Sequence, residues 1–346
     1  MNPTNKKRLW QIPFLLFLIV GTVIIIRQQH NMPYQHNQGM IFGTSYHIVY
    51  QHDTDLHTAI IQQLQAVDDA LSPFNPHSII SQVNRGESVA VNELFIDVFE
   101  MAQRIAKETD GAFDITVAPL VNAWGFGFKH NEFPNEAAID SLRQTVGYNK
   151  VSLATGRTTT VRKTDPRVML DCSAIAKGYG CDRVASMLRK MGVANYMIEI
   201  GGEVVTKGIS EKRVPWRIGV TKPTDDSLNI HEELQTVVNV TDKAMATSGN
   251  YRNFYYKNGK KYAHTIDPRT GYPVQHSILS ATVLAPSCAL ADAYATSMMV
   301  MGLDGARQLL SRHPELMAYL IYTDKEGNTA VWYSPSMQDK IVTTEN

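Results

Sequence analysis

The chain has 346 residues, 44% hydrophobic and 19% charged, with 33 basic and 33 acidic side chains, 22 Gly, 15 Pro and 3 Cys. That composition excludes a disordered chain, a collagen-like fibre, a disulfide scaffold and a multi-span membrane protein. A net charge of zero excludes a general affinity for nucleic acid, so any anion has to be bound by locally placed groups.

Lys6, Lys7 and Arg8 precede an apolar run from Leu9 to Ile26, broken only by Gln11, Pro13, Gly21 and Thr22. The run is close to the ~20 residues that a bilayer core requires. Cations ahead of it and only Arg27 just behind it predict a cytoplasmic N-terminus and a body on the far side of the membrane. No A-x-A-like site follows and no Cys lies nearby, which favours an uncleaved single-pass anchor over residues 1–27. A cleaved signal peptide is the alternative. Residues 28–38 are polar and suit a short stalk, and 39–340 read as one domain of two intimate lobes. Cys172, Cys181 and Cys288 have no C-x-x-C spacing and read as small core residues.

Met40 to Tyr50 alternates as a strand, with Phe42, Thr44, Tyr46 and Ile48 on one face. Ile60, Ile61, Leu64, Val67 and Leu71 then have helical spacing until Ser72-Pro73. A second helix starts at Asn92, carries Phe95, Val98, Phe99, Ala102 and Ile105, and closes at Asp110-Gly111; a third runs to about Val146. Asn258-Gly259, between Phe254-Tyr255-Tyr256 and Tyr262-Ala263-His264, is the strongest hairpin signal and pairs Lys257 with Lys260. Glu326-Gly327 joins the last two strands in the same way. Helices mixed with hairpins predict an α+β fold with largely antiparallel sheets.

Asp171 to Asp182, D-C-S-A-I-A-K-G-Y-G-C-D, opens a helix that ends at Gly192, which puts Lys177 near its start. A cation there opposes the helix dipole, and Gly178 and Gly180 weaken a helix, unless an anion such as a phosphate rests on the free amides and the lysine. A solvated lysine with two packing glycines is the bland alternative. Ser287 to Gly302 is an apolar helix in which Asp292 and Thr296, four apart, share a face. A carboxylate and a hydroxyl in such surroundings suit Mg²⁺, although Asp292 could instead cap a loop and Thr296 bond to its own helix.

Ala246 to Arg252, A-T-S-G-N-Y-R, leads through the hairpin to H-T-I-D-P-R-T-G-Y-P, whose Asp267 to Gly271 reads as a tight turn. Thr247-Ser248-Gly249 lacks the pattern of a nucleophile elbow. His264 alternates with Tyr262 and Ile266, where a histidine is more often a core residue than a catalyst. Gly111 to Gly127 reads as a strand with Phe113, Ile115 and Val117 that runs into a loop offering Asn122, Trp124 and Gly125 for stacking on a flat ring. Gly201-Gly202, inside a strand pattern, implies a bulge or a close backbone approach. The fingerprints of Rossmann, P-loop and zinc sites are absent.

Taken in order, these stretches resemble the ApbE family of FAD:protein FMN transferases. The resemblance runs through F-G-T-S-Y at Phe42, L-S-P-F-N-P-H-S at Leu71, the Gly111 and Asp171 stretches, G-G-E at Gly201, the Ala246 and His264 stretches, and A-D-A-Y-A-T at Ala291. It implies an ApbE-like, T-fold-like domain that binds FAD and Mg²⁺ outside the cytoplasm. Such an enzyme moves FMN onto a threonine of a partner protein, typically a subunit of a membrane redox pump, and releases AMP. By motif, Asp292, Thr296 and the carbonyl of Ala174 match metal-binding positions. Asp171, Lys177, Phe42, Phe74, Asn122, Ala123, Trp124 and Ile266 match flavin-nucleotide positions. Phe42 stands where the family often has Met, Phe74 where it often has Tyr, and Ala295 where some relatives carry a second carboxylate. His264, with an ordinary pKa of ~6.5, is the candidate general base. Hydrolysis of FAD to FMN and AMP, or flavin binding without catalysis, are the rival readings.

Overall fold

The computed structural model describes residues 12–22, 32–127, 134–223, 234–250, 254–257 and 260–342. Residues 12–22 form a helix, α1, within the apolar run. Among the described residues no helix is long and apolar enough to cross a membrane. The rest of the expected anchor, residues 28–31 of the expected stalk, and Asn258-Gly259 lie outside the described residues.

The first correction concerns the stalk, because β1, Tyr34–Ile41, pairs along its whole length with β2, Thr44–Gln51. Its residues look too polar for a strand, but the ladder bonds are made by the backbone. The inward polar groups also find partners: Tyr50 Oη donates to Asn37 Oδ1 at 2.9 Å, and Asn37 Nδ2 donates to Asp55 Oδ1 at 3.0 Å. The turn between the strands places Phe42 at φ +52° and Gly43 at φ +73°.

Helices α2, His57–Leu71, α3, Ile79–Asn84, and α4, Glu93–Glu108, follow. Asn92 caps α4 as expected, its side chain accepting from the Phe95 amide at 3.0 Å. The strand expected over Phe113 to Val117 is reduced to one parallel bridge, Val117 to Met169. Side chains take the backbone donors that a ladder would need, as Thr109 Oγ1 accepts from the Phe113 amide and Asp114 Oδ1 from the Thr116 amide. Asn122 and Ala123 then lie on a short helix, α5, Ala118–Ala123, rather than in a loop. Helix α6, Glu136–Arg143, stops short of Val146.

A hairpin of β3, Val151–Thr155, and β4, Thr159–Lys163, leads to α7, Ser173–Lys190. Strands β5, Tyr196–Ile200, β6, Glu203–Lys207, β7, Arg217–Thr221, β8, Leu234–Asn239, and β9, Ala244–Gly249, come next. The hairpin of β10, Phe254–Lys257, and β11, Lys260–Ala263, has the expected Lys257 to Lys260 register. Then come β12, Ile278–Ala285, α8, Cys288–Arg312, β13, Met317–Thr323, and β14, Thr329–Tyr333. A short β15, Ile341–Val342, follows and pairs with β8.

Strands β1-β2-β5-β6-β9-β12-β13-β14 make an eight-stranded antiparallel sheet. Helices α7 and α8 bury apolar faces on one side of it together with α2 and α4, while β7 and β8 close over Val204, Met245, Leu284 and Ile321 on the other. The class is α+β with antiparallel sheets, as expected, and all three cysteines are free and buried.

The contact between α7 and α8 has no room for a side chain at Gly178. A Cβ there would lie 2.6 Å from the Cys288 carbonyl carbon and 2.8 Å from the Ala289 nitrogen. Gly178→Ala is therefore expected to lower the unfolding free energy by about 1–3 kcal/mol through overpacking, read by urea denaturation. An unchanged midpoint would show that the two helices can part without cost.

Candidate active site

The approach of α7 to α8 assembles a cluster of charges. Asp171 Oδ1 accepts from the Ser173 amide at 2.8 Å and so caps α7. Its own amide donates to the Ile115 carbonyl at 2.7 Å, which ties the helix start to the Gly111 stretch. Lys177 is in the second turn of α7, a little deeper than the sequence suggested. From there its Nζ lies 3.5 Å from Glu203 Oε1 on β6 and 3.8 Å from Asp292 Oδ2 on α8. The Gly178 amide donates to that same Asp292 oxygen at 3.1 Å. In a helix this amide faces the carbonyl four residues back, that of Ala174, so the Asp292 carboxylate arrives at the Ala174 turn.

The two glycines are packing residues, as in the bland alternative, but the lysine of that alternative is not solvated: it faces two carboxylates. Gly178 admits the α8 backbone, and a Cβ on Gly180 would come 2.8 Å from the Phe42 ring. Asp292, by contrast, caps no loop: it is buried inside α8. The cap of α8 is Asp182, which the sequence reading passed over; its two carboxylate oxygens accept from the Cys288 and Ala289 amides, each at 2.9 Å. Its signal was an acid ten residues ahead of Gly192, on the α7 face that also carries Gly178.

Burial raises the Asp292 carboxyl above its ordinary range, against the pull of the Lys177 charge and the Gly178 amide. Burial likewise raises Glu203, again opposed by Lys177. For Lys177 burial works the other way, but the Asp292 and Glu203 charges outweigh it and hold the ammonium above the ordinary lysine value. Burial pushes Glu203 up to about 8, so near neutrality the Lys177 ammonium faces one carboxylate and one largely protonated acid.

Thr296, one turn beyond Asp292, does not bond back to its own helix; its hydroxyl pairs with Ser248 Oγ at 3.1 Å. Two residues on, Asn250 Oδ1 accepts from Thr265 Oγ1 at 2.7 Å, which ties the stretch to the neighbour of His264. The His264 ring stands edge-on to Phe126, with centroids 6.4 Å apart. Trp124 stacks on Tyr262 at 5.6 Å and donates through Nε1 to the Gly271 carbonyl at 2.8 Å, and Ile266 packs in the same core. Asn122 and Ala123 are buried beside them, whereas Phe74 is exposed. Asn84 exchanges two hydrogen bonds with Leu170, at 2.7 and 2.8 Å, linking the end of α3 to the stretch that leads into α7. The structure thus joins Lys177, Asp292, Thr296 and the Ala174 turn in one cluster, and Trp124, Ile266 and His264 in a second. A cavity of about 260 Å³ beside the Asp267 to Gly271 turn contains none of these residues.

This arrangement has known counterparts. The ApbE family model matches residues 42–321. The chain belongs to the ApbE family. FAD:protein FMN transferases of Haemophilus influenzae and Vibrio cholerae are 36% and 38% identical to it; the matches cover 84% and 77% of this chain and 86% and 81% of the relatives. Among solved structures, the flavin transferase ApbE from Vibrio cholerae superposes with a TM-score of 0.80 at 34% identity, covering 89% of this chain and 99% of that one. The apo flavinyl transferase ApbE of Pseudomonas stutzeri gives 0.77 at 26% identity, covering 89% and 97%.

Among the described residues no three His, Cys, Asp or Glu side chains converge on a point that could hold a metal. The oxygens that would hold a cation, by the motif match, are fewer: the Asp292 carboxylate, the Thr296 hydroxyl one helical turn on and the Ala174 carbonyl. It suits a hard cation such as Mg²⁺, which takes one or two carboxylates and keeps waters and phosphates in its other positions.

The Asp182 cap has a pH signature. Burial pushes its carboxyl up to about 6, against the two amides that bind it. An acid whose pKa is raised on folding contributes most below its unfolded value and loses that contribution as pH rises through the folded one. The unfolding free energy of wild type minus that of Asp182→Asn is therefore expected to fall between pH 4 and 6.5, by on the order of 2–3 kcal/mol. A flat difference in denaturant titrations across that range would show that the two amides fully offset the burial of the Asp182 carboxyl.

Proposed function

We propose that this chain is an FAD:protein FMN transferase that uses Mg²⁺ to move the FMN half of FAD onto a threonine hydroxyl of a partner protein, releasing AMP. One observation carries the reading: Lys177 Nζ and Asp292 Oδ2 are 3.8 Å apart at a helix contact, in a chain of the ApbE family. In the step proposed, the threonine oxygen bonds to the FMN phosphorus while the diphosphate bridge to AMP breaks. The hydroxyl proton leaves to a base, and AMP carries away the bond's electron pair.

Asp292, Thr296 and the Ala174 carbonyl would hold Mg²⁺, which when bound neutralises diphosphate charge. Lys177, fully cationic, supplies a further fixed positive charge for the leaving phosphate. Trp124 and Ile266 offer a flat apolar wall for the isoalloxazine ring, and Phe42 offers another beside Gly180. Phe74, exposed on its loop, would close over the ring from outside. Asp171, by capping α7, keeps the lysine-bearing turn in place. His264 is the proposed acceptor of the threonine proton.

Incubation with FAD, Mg²⁺ and a threonine-bearing acceptor is expected to add the mass of FMN to that threonine. Asp292→Asn should reduce the rate by ~100-fold or more, given what one electrostatic group contributes to a charged transition state. His264→Ala should retain FAD binding and lose roughly 10²-fold or more in transfer rate. FMN and AMP appearing with no labelled acceptor would replace transfer by hydrolysis, and full activity in His264→Ala would remove that residue from the mechanism.

The proposal extends to location, with the domain outside the cytoplasm and the run from Leu9 to Ile26 as its single-pass anchor, supported by the cations ahead of that run. Protease added to spheroplasts should digest the domain and leave a membrane-bound N-terminal fragment. Complete protection, or release of the domain on washing, would overturn it.

A further inference from the structure

Glu203 opens β6 directly after Gly201-Gly202 and is followed by buried Val204 and Val205. The carboxylate is itself 3% exposed. One oxygen, Oε1, faces Lys177 Nζ at 3.5 Å, while the other, Oε2, is buried and has no hydrogen-bond partner among the described residues. An acid placed this way costs stability, because burial without full pairing penalises the charge. Its neighbours explain its retention.

Lys177 stands between two carboxylates, at 3.5 Å from one and 3.8 Å from the other. An ammonium with a single buried acid as partner would settle at the ~2.7–2.9 Å of a charge-assisted hydrogen bond. Sharing keeps it short of that contact on either side. Without the Glu203 oxygen, Lys177 keeps, among the described residues, the Ser173 carbonyl at 3.5 Å and the Asp292 carboxylate at 3.8 Å, and the ammonium would move onto the Asp292 oxygens that the proposed cation needs.

We infer that Glu203 is a positioning residue that holds Lys177 off Asp292, so that the aspartate can bind a divalent cation while the lysine faces the diphosphate. The inference rests on the transferase reading of the same site. It also predicts dependence: without the lysine, Glu203 has nothing to hold in place, and its replacement by a neutral isostere changes little.

A double-mutant cycle with Glu203→Gln, Lys177→Met and the pair tests this on the intact chain. Mn²⁺ binding is followed by electron paramagnetic resonance, and transfer from FAD is assayed alongside. Glu203→Gln is expected to weaken Mn²⁺ binding about tenfold in the wild-type background and less than about twofold in the Lys177→Met background, the range expected for directly coupled residues. Glu203→Asp, which keeps the charge and also serves if the Gln variant folds poorly, should bind Mn²⁺ within about threefold of wild type. Equal losses in both backgrounds, equal losses for Asp and Gln, or no loss at all overturn the inference while the transferase reading stands on wild-type transfer. Wild type that neither binds Mn²⁺ nor transfers FMN overturns the transferase reading and this inference together.

Discussion

The architecture turns on one close approach, the crossing of α7 and α8 at Gly178. Because that residue has no side chain, the Cys288-Ala289 backbone comes within contact distance of α7, and the Asp292 carboxylate reaches the Gly178 amide. Asp182 fastens the same crossing from the other direction by binding the first amides of α8. A helix that carries a buried acid is thus held in register with a helix that carries a lysine. The sheet beneath adds Glu203 from β6 and Ser248 from β9.

That geometry packs three ionisable groups into a buried site. Burial raises both acids, opposed by the Lys177 charge, so two proton-retaining carboxyl groups stand beside a fixed positive charge. A divalent cation beside the acids and a diphosphate beside the lysine, as proposed, would favour the ionised form of each. The same logic explains why the acids are tolerated inside a core of Ala, Val and Met.

Much of the site was legible residue by residue. The Asp292/Thr296 pair stood out as hard-oxygen groups on an apolar helix, and Lys177 as a cation among helix-weakening glycines. What misled was the purpose of Gly178 and Gly180, because a glycine needed for close packing and one needed for a phosphate look identical in sequence. Glu203 and Ser248 were missed as partners because each meets its counterpart from a distant strand. The Phe113 to Val117 strand and the stalk failed for a related reason: local alternation and polarity do not reveal whether a backbone donor is taken by a side chain or by a neighbouring strand.

The order of motifs, the helix ends at Asn92 and Gly192, and the Lys257 to Lys260 register depend on neighbours within a few residues, so the one-dimensional chain determined them. The meeting of Lys177 with Glu203 and Asp292, the pairing of Thr296 with Ser248 and the capping of α8 by Asp182 each join segments far apart in the chain. Only tertiary structure decided them, because they follow from how closely two helices and a sheet can pack, a property of shapes in three dimensions that no local pattern encodes.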